Sequence, residues 1–260
     1  MGFKVTPAQI VAALKEMGFT AVEEVAVGAD MTAIHEAEEF IEKVPARQKY
    51  MTNSCCPAFV SLVKKHLPEE TSKISTTVSP MVACGRYVKS EYPDAVTVFI
   101  GPCIAKKGEA RHYSDAIDYV LTFEEMAGIF DARHVDIENM EEDPDGVNDA
   151  SADGRNFAVA GGVAKSVVNV IKERYPDKEI KVANAEGLKE CRKLLTMAKA
   201  GKYNGYLLEG MACPGGCVAG AGTMQPIKKS QASVNLYASK AKHKTSNETE
   251  HVKELDKLVD

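Results

Sequence analysis

No stretch of the 260-residue sequence approaches the roughly 20 consecutive apolar residues of a membrane-spanning helix, which excludes such a span. The amino-terminal run Met1-Gly2-Phe3-Lys4-Val5-Thr6 lacks the apolar centre of a secretory signal, so a cytoplasmic location is expected. No basic stripe interleaved with aromatics is present and the formal net charge is −5, which argues against nucleic-acid binding. Tryptophan is absent. So is the C-x-x-C spacing of a structural zinc knuckle. The six histidines form no constellation.

What the chain does have is cysteine in loops. Of its seven cysteines, Cys55 and Cys56 are adjacent in Asn53-Ser54-Cys55-Cys56-Pro57, and Cys103 lies in Gly101-Pro102-Cys103-Ile104-Ala105-Lys106-Lys107. Cys213 and Cys217 sit in Glu209–Gly222, a stretch too rich in glycine to be a helix. An odd number of clustered cysteines reads as metal or redox chemistry before a disulfide framework. Cys56, Cys103, Cys213 and Cys217 supply the four thiolates that an iron–sulfur cubane takes. Zinc also takes four thiolates, and simple redox or structural thiols remain a third possibility on spacing alone. Cys84 and Cys191 match no ligand position, and Cys191 falls in an expected helix, where it reads as core.

Strand and helix signals alternate. Thr6-Pro7 opens an expected helix to about Met17, with Ile10, Ala13, Leu14 and Met17 on its apolar face. Strands are expected at 21–27, 48–52, 95–100, 119–121, 157–160, 180–183 and 206–208. Helices are expected at 32–43, 58–65, 79–91, 163–175 and 188–200, with a short terminal one at 252–259. Thr122 with Glu125 forms a capping box for a further helix. Eight acids and no Lys or Arg between Asp136 and Asp153 read as a solvated loop. Beyond Pro226 the chain turns polar and lysine-rich. This alternation implies an α/β fold of parallel sheets covered by helices. Ligands in such folds bind beyond the carboxyl ends of strands, and all three cysteine loops follow expected strands.

The three loops resemble the three signature motifs of the [FeFe]-hydrogenase catalytic domain. Asn53–Phe59 is similar to the first (TSCCPxW), Gly101–Glu109 to the second (MPCxxKxxE) and Glu209–Gly222 to the third (ExMACxGGCxxGxGQP). The likeness extends to Gly28–Thr32 with Glu36 and Glu39, to Ser79-Pro80 and to Gly161-Gly162-Val163. The resemblance implies two lobes of mostly parallel sheet flanked by helices with the metal cluster between them. It implies that Cys56, Cys103, Cys213 and Cys217 ligate a [4Fe-4S] cubane. Cys217 also bridges to a di-iron subsite carrying CO, cyanide and azadithiolate, the whole being the H-cluster. Lys106, Met211, Pro80 and Gly216 line the cofactor. Cys55 exchanges the proton, and Glu36, Ser75 and Glu39 carry it toward solvent, with Lys43 where the family commonly has Arg.

The implied catalytic domain spans residues 1–230, followed by a polar extension over 231–260. The chain departs from the motifs at Phe59 for Trp, Gly101 for Met, Met81 for Gln and the inserted Thr223-Met224, and the family's initial strand has no match before Lys4. With no ferredoxin-like cysteine run, the resemblance implies electron exchange with ferredoxin, another external carrier or a partner subunit. It also implies dedicated H-cluster maturation enzymes. The alternatives are an H2-sensing or low-activity regulatory hydrogenase, and the non-catalytic iron–sulfur assembly relatives, which typically lose the adjacent cysteine.

Overall fold

The computed structural model describes residues 5–147 and 149–250. Its helices are α1 (Pro7–Glu16), α2 (Ala26–Lys43), α3 (Pro57–His66), α4 (Pro80–Glu91), α5 (Ala105–Ala110), α6 (Phe123–Ala132), α7 (Ala152–Asn156), α8 (Gly162–Arg174), α9 (Leu188–Lys199) and α10 (Ile227–Ser239). Its strands are β1 (Met51–Thr52), β2 (Val98–Gly101), β3 (Tyr119–Thr122), β4 (Lys181–Glu186) and β5 (Tyr206–Met211). They form two parallel sheets, ordered β1-β5-β4 and β2-β3. The α/β class with parallel sheets flanked by helices is the one expected.

Local chemistry sets several boundaries. Thr6 Oγ1 accepts the Gln9 N–H and Gln9 Oε1 accepts the Thr6 N–H, a reciprocal cap that starts α1. Thr122 and Glu125 do the same for α6. The buried face of α1 carries Val11, Ala13 and Leu14, whereas Ile10 is exposed. The helix turns slightly from its expected face because it docks the acidic segment: Lys15 pairs with Asp143 at 2.8 Å and Asp143 N–H donates to Ala8 O. Six of its eight acids are exposed, but its end is not. Asp153 is buried and accepts hydrogen bonds from Asn169.

Two expected strands are absent. Residues 21–24 are irregular, and Ala26-Val27 join α2. The three valines favour a strand locally, but α2 packs between α4 and α8, and that burial outweighs local preference. Residues 157–160 are turns whose backbone bonds to a cysteine loop: Ala160 N–H donates to Gly215 O, and Val218 N–H to Ala158 O. The short β1 replaces the longer strand expected over 48–52. Polar composition concealed α10, which runs through residue 230 and seats Tyr237 under the Arg155 guanidinium at 3.8 Å. The helix expected at 252–259 lies outside the described residues. Among the described residues no helix is long and apolar enough to cross a membrane.

β5 is the central strand and is buried along Leu207–Met211. Gly210 is needed there because the Phe59 ring lies on it: a Cβ would sit 2.3 Å from Phe59 Cε2. Phe59, fully buried, thus packs the first cysteine loop onto the strand that delivers the third.

Candidate metal and proton-transfer site

Each cysteine loop leaves the carboxyl end of a strand. Cys55 and Cys56 follow β1, Cys213 and Cys217 follow β5, and Cys103 follows β2 of the other sheet. The four candidate ligands therefore converge from both sheets, at the position where open α/β folds bind ligands. Every pair among Cys56, Cys103, Cys213 and Cys217 lies within electrostatic reach of one another. Burial, reinforced by these like neighbours, raises the Cys56 and Cys213 thiols and pushes Cys217 up to about 12. Metal binding must displace those protons. Backbone N–H groups of Phe59 and Ala212 donate to the Cys56 sulfur and Lys106 brings a positive charge, both of which favour thiolate.

The loop around Cys213 and Cys217 is held by its glycines and by one acid. Gly216 adopts φ +90° and its N–H donates to Cys213 O. A Cβ there would lie 2.5 Å from Ala160 N, so only glycine lets the loop turn against residues 158–160. Glu209, buried in β5, accepts the Gly161 N–H at 2.6 Å and the Ala164 N–H at 2.8 Å, which locks the start of α8 beside the loop. Met211 is buried in the apolar cluster that contains Cys55, with Cys56 and Cys217 packed against it.

Among the described residues no three His, Cys, Asp or Glu side chains converge closely enough to hold one ion. A mononuclear zinc centre finds no ready cage here. A sulfur-bridged cluster instead spreads four thiolates over its corners and accepts N–H donors to sulfur, which fits this donor set.

Lys106 is buried, and its Nζ donates to Cys55 O at 3.3 Å and to Glu109 Oε2 at 2.6 Å. Burial alone would lower its pKa, but Glu109 outweighs that and raises it, so the ammonium stays charged beside Cys55 and Cys103. Pro80 opens α4 and packs its carbonyl on Gly28 of α2, which ties it to the helix bearing the acids rather than directly to the cysteine loops.

The proposed proton carriers run from the buried interior to a partly exposed end. Cys55 is 8% exposed and has Glu36, Cys56 and Cys217 as titratable neighbours. Glu36, 0% exposed on α2, accepts the Ser54 N–H at 3.0 Å through Oε1, while its Oε2 has no partner. Ser75 lies near Glu36 without a direct hydrogen bond to its free Oε2, and its hydroxyl donates to Glu39 Oε2 at 2.5 Å. Lys43, its side chain 26% exposed, donates to Glu39 Oε1 at 2.5 Å.

The two acids titrate in opposite directions. Burial pushes Glu36 up to about 8. Burial would also raise Glu39, but hydrogen bonds from Lys43, Ser75 and Thr76 outweigh it and hold that carboxyl below its usual value. A protonated acid thus stands near the hydroxyl that donates to an ionised one, the pairing that separates donor from acceptor.

The Glu36 shift has a stability consequence. Between about pH 4.5 and 8 the folded chain holds a proton on Glu36 that the unfolded chain has released. Stability is greatest below that window and falls as pH rises through it, by on the order of a few kcal/mol. Glu36→Gln removes this dependence. Thermal unfolding of both proteins from pH 5 to 8 should show the variant gaining on the parent as pH rises; a constant difference would contradict the burial of Glu36.

Ser54, Asn53, Glu109 and Glu209 lie inside the motifs, with no role expected of them from sequence. All four make the hydrogen bonds that orient the site, and only their place beside the cysteines hinted at this. Cys191 is core, as read from its helix. Cys84 is buried against Gly28, and burial pushes its thiol up to about 12.

The family described as iron only hydrogenase large subunit, C-terminal domain, matches residues 1–221. Iron hydrogenase 1 of Clostridium pasteurianum is 30% identical over 267 residues, which cover 85% of this chain and 46% of that protein. The cytosolic Fe-S cluster assembly factor NAR1 of Meyerozyma guilliermondii is 31% identical over 134 residues, 45% of this chain and 25% of that one. The chain spans about half the length of the curated hydrogenases it matches. A solved structure of [FeFe]-hydrogenase HydA1 from Chlamydomonas reinhardtii superposes with a TM-score of 0.80 at 22% identity, covering 97% of this chain and 83% of that one, a likeness of fold. With the family match running through all three cysteine loops, the chain belongs to the iron-only hydrogenase large subunit, C-terminal domain family.

Proposed function

We propose that this chain is the catalytic H-cluster domain of an [FeFe]-hydrogenase, catalysing 2H⁺ + 2e⁻ ⇌ H2. The observation that carries the reading is the buried line from Cys55 through Glu36, Ser75 and Glu39 to Lys43, which ends at the protein surface. A site that only stored or assembled a cluster would have no use for it. When bound, a [4Fe-4S] cubane on Cys56, Cys103, Cys213 and Cys217 would supply electrons one at a time, and a di-iron subsite bridged through Cys217, with CO, cyanide and azadithiolate ligands, would supply the centre of H–H chemistry.

The chain's own residues bind, enclose and pass protons. Lys106, held charged by Glu109, offers ammonium hydrogens to an anionic ligand in the pocket. Met211 and Gly216 close the pocket with apolar surface and tight backbone, and Pro80 holds α4 against α2, the helix that bears the relay acids. Cys55 hands a proton to and from the pocket, and Glu36 accepts and returns it. Ser75 relays it by hydroxyl rotation to Glu39, and Lys43 holds the exit. Relays of this kind need titratable groups at hydrogen-bond spacing, directly or through one water.

Electrons enter from a ferredoxin, another external carrier or a partner subunit. Exposed Ile104 and Pro214, flanking half-buried Cys103 and Cys213, leave the cubane side approachable. Maturation enzymes supply the di-iron unit, and a reducing cytoplasm suits the seven free thiols. The likeness to an iron–sulfur assembly factor supports a second reading as a non-catalytic cluster protein. The intact Cys55-Cys56 pair and the two relay glutamates weigh against it.

The test is to reconstitute the chain anaerobically with the cubane, add a synthetic di-iron mimic and record the infrared spectrum. Bound CO and cyanide bands and H2 turnover are expected. Correct cubane assembly without those bands would overturn the hydrogenase reading and favour the assembly relative.

A further inference from the structure

We propose that Asn53 is a positioning residue for Cys55: its side-chain amide, locked by the Gly210 backbone, holds the Cys55 sulfur as an acceptor and so fixes where the thiol proton points. The functional consequence rests on the hydrogenase reading above; the geometry does not.

Asn53 is 1% exposed, just past the end of β1, where every polar atom must find a partner inside the protein. Its Oδ1 accepts the Gly210 N–H at 2.8 Å. Its Nδ2 donates to Gly210 O at 3.4 Å and to Cys55 Sγ at 3.2 Å. A side-chain amide can in principle be turned end for end, so its orientation must be argued from the network. Here the reversed amide would set NH2 against the Gly210 N–H, donor facing donor, and strand a buried backbone N–H at a cost of about 1–3 kcal/mol. Only the observed orientation satisfies Gly210, and it forces Nδ2 toward the sulfur. The two Nδ2 hydrogens are then both used, one by Gly210 O and one by Cys55.

The sulfur is thereby held on its acceptor side. Its own S–H is kept off the Asn53 direction and turned to the remainder of its surroundings, where Glu36, Cys56 and Cys217 are its titratable neighbours. A proton passing between the cysteine loops and Glu36 would cross that space. Gly210 belongs to β5, the strand that delivers Cys213 and Cys217, so the same amide also registers the first cysteine loop against the third. Threonine, the residue of the resembled motif at this position, has one hydroxyl. It cannot accept from Gly210 N–H, donate to Gly210 O and donate to sulfur together.

The test uses the cubane-loaded full chain without the di-iron unit. Cys55→Ser identifies the Cys55 S–H stretching band in the infrared by difference. In Asn53→Thr and Asn53→Ala that band should shift, while iron content stays unchanged. After addition of the di-iron mimic, turnover per loaded site should fall severalfold. An unmoved band in a variant that folds and binds the cubane would overturn the proposal. Should both variants fail to fold, the Asn53 side-chain N–H resonances of the metal-free parent chain decide. They should move in Cys55→Ala if the sulfur is their acceptor, and their constancy would overturn the assignment. A shifted band with no H2 turnover in any loaded chain would sink the hydrogenase reading and leave the Asn53 contact standing. An unmoved band with normal turnover would do the opposite.

Discussion

Cys55→Ser is expected to leave both the cubane and the di-iron unit in place while H2 turnover drops by on the order of 10²–10⁴-fold. The substitution touches none of the four candidate ligands, and serine fits the space of the thiol. What it changes is acidity. A hydroxyl between Glu36 and Cys217 gives up a proton far less readily than a thiol, so the inner end of the relay stalls. Infrared bands of the loaded variant establish occupancy, and H2 evolution from a reduced artificial carrier measures the loss. Full turnover in a fully loaded variant would remove Cys55 from the proton route. It would then leave Glu36 and Ser75 as a buried polar network with another purpose.

Gly28→Ala is expected to destabilise the fold by on the order of 3 kcal/mol. For a chain of this size that corresponds to a melting temperature lower by roughly 6–12 °C. Gly28 lies in α2 where α4 crosses it. An added Cβ would stand 2.2 Å from Pro80 O, 2.8 Å from Cys84 N and 2.9 Å from Cys84 Cβ. Two of these are backbone atoms of α4, so no side-chain rotation relieves the contact and the helices must separate. Separation moves the Ser75–Thr77 segment that leads into α4 away from Glu39 of α2. The variant should therefore lose relay function along with stability. Calorimetric unfolding checks the first effect; a melting temperature unchanged from the parent would contradict this helix approach.

Much of the local structure was legible from residue chemistry alone. The caps at Thr6 and Thr122 could be read because each is closed within four residues. The helices over 80–91, 162–174 and 188–199 lie within a residue of their expected bounds. The strand expected over 21–27 failed because what decides Ala26-Val27 is packing of α2 between two other helices. The strand expected over 157–160 failed because those residues give their backbone groups to the Cys213 loop rather than to a sheet. Polar α10 was missed because scattered contacts hold it, Arg155 on Tyr237 and Gln231 on Gly215 O among them, and these leave no apolar period in sequence.

The sequence by itself determined which residues carry the chemistry: four cysteines in three loops after strands, an adjacent fifth, a lysine after Cys103, and two glutamates spaced to share a helix face. Residue identity and spacing set donor type and local direction, and both survive in one dimension. Only the tertiary structure decided that the loops of two separate sheets converge, that Glu36 loses water while Glu39 gains four partners, and that Asn53 turns its NH2 toward sulfur. Burial and hydrogen-bond partners come from residues up to 157 positions apart in the case of Asn53 and Gly210. Desolvation depends on what surrounds a group in space, so no reading of neighbours along the chain could assign opposite protonation to two glutamates of one helix.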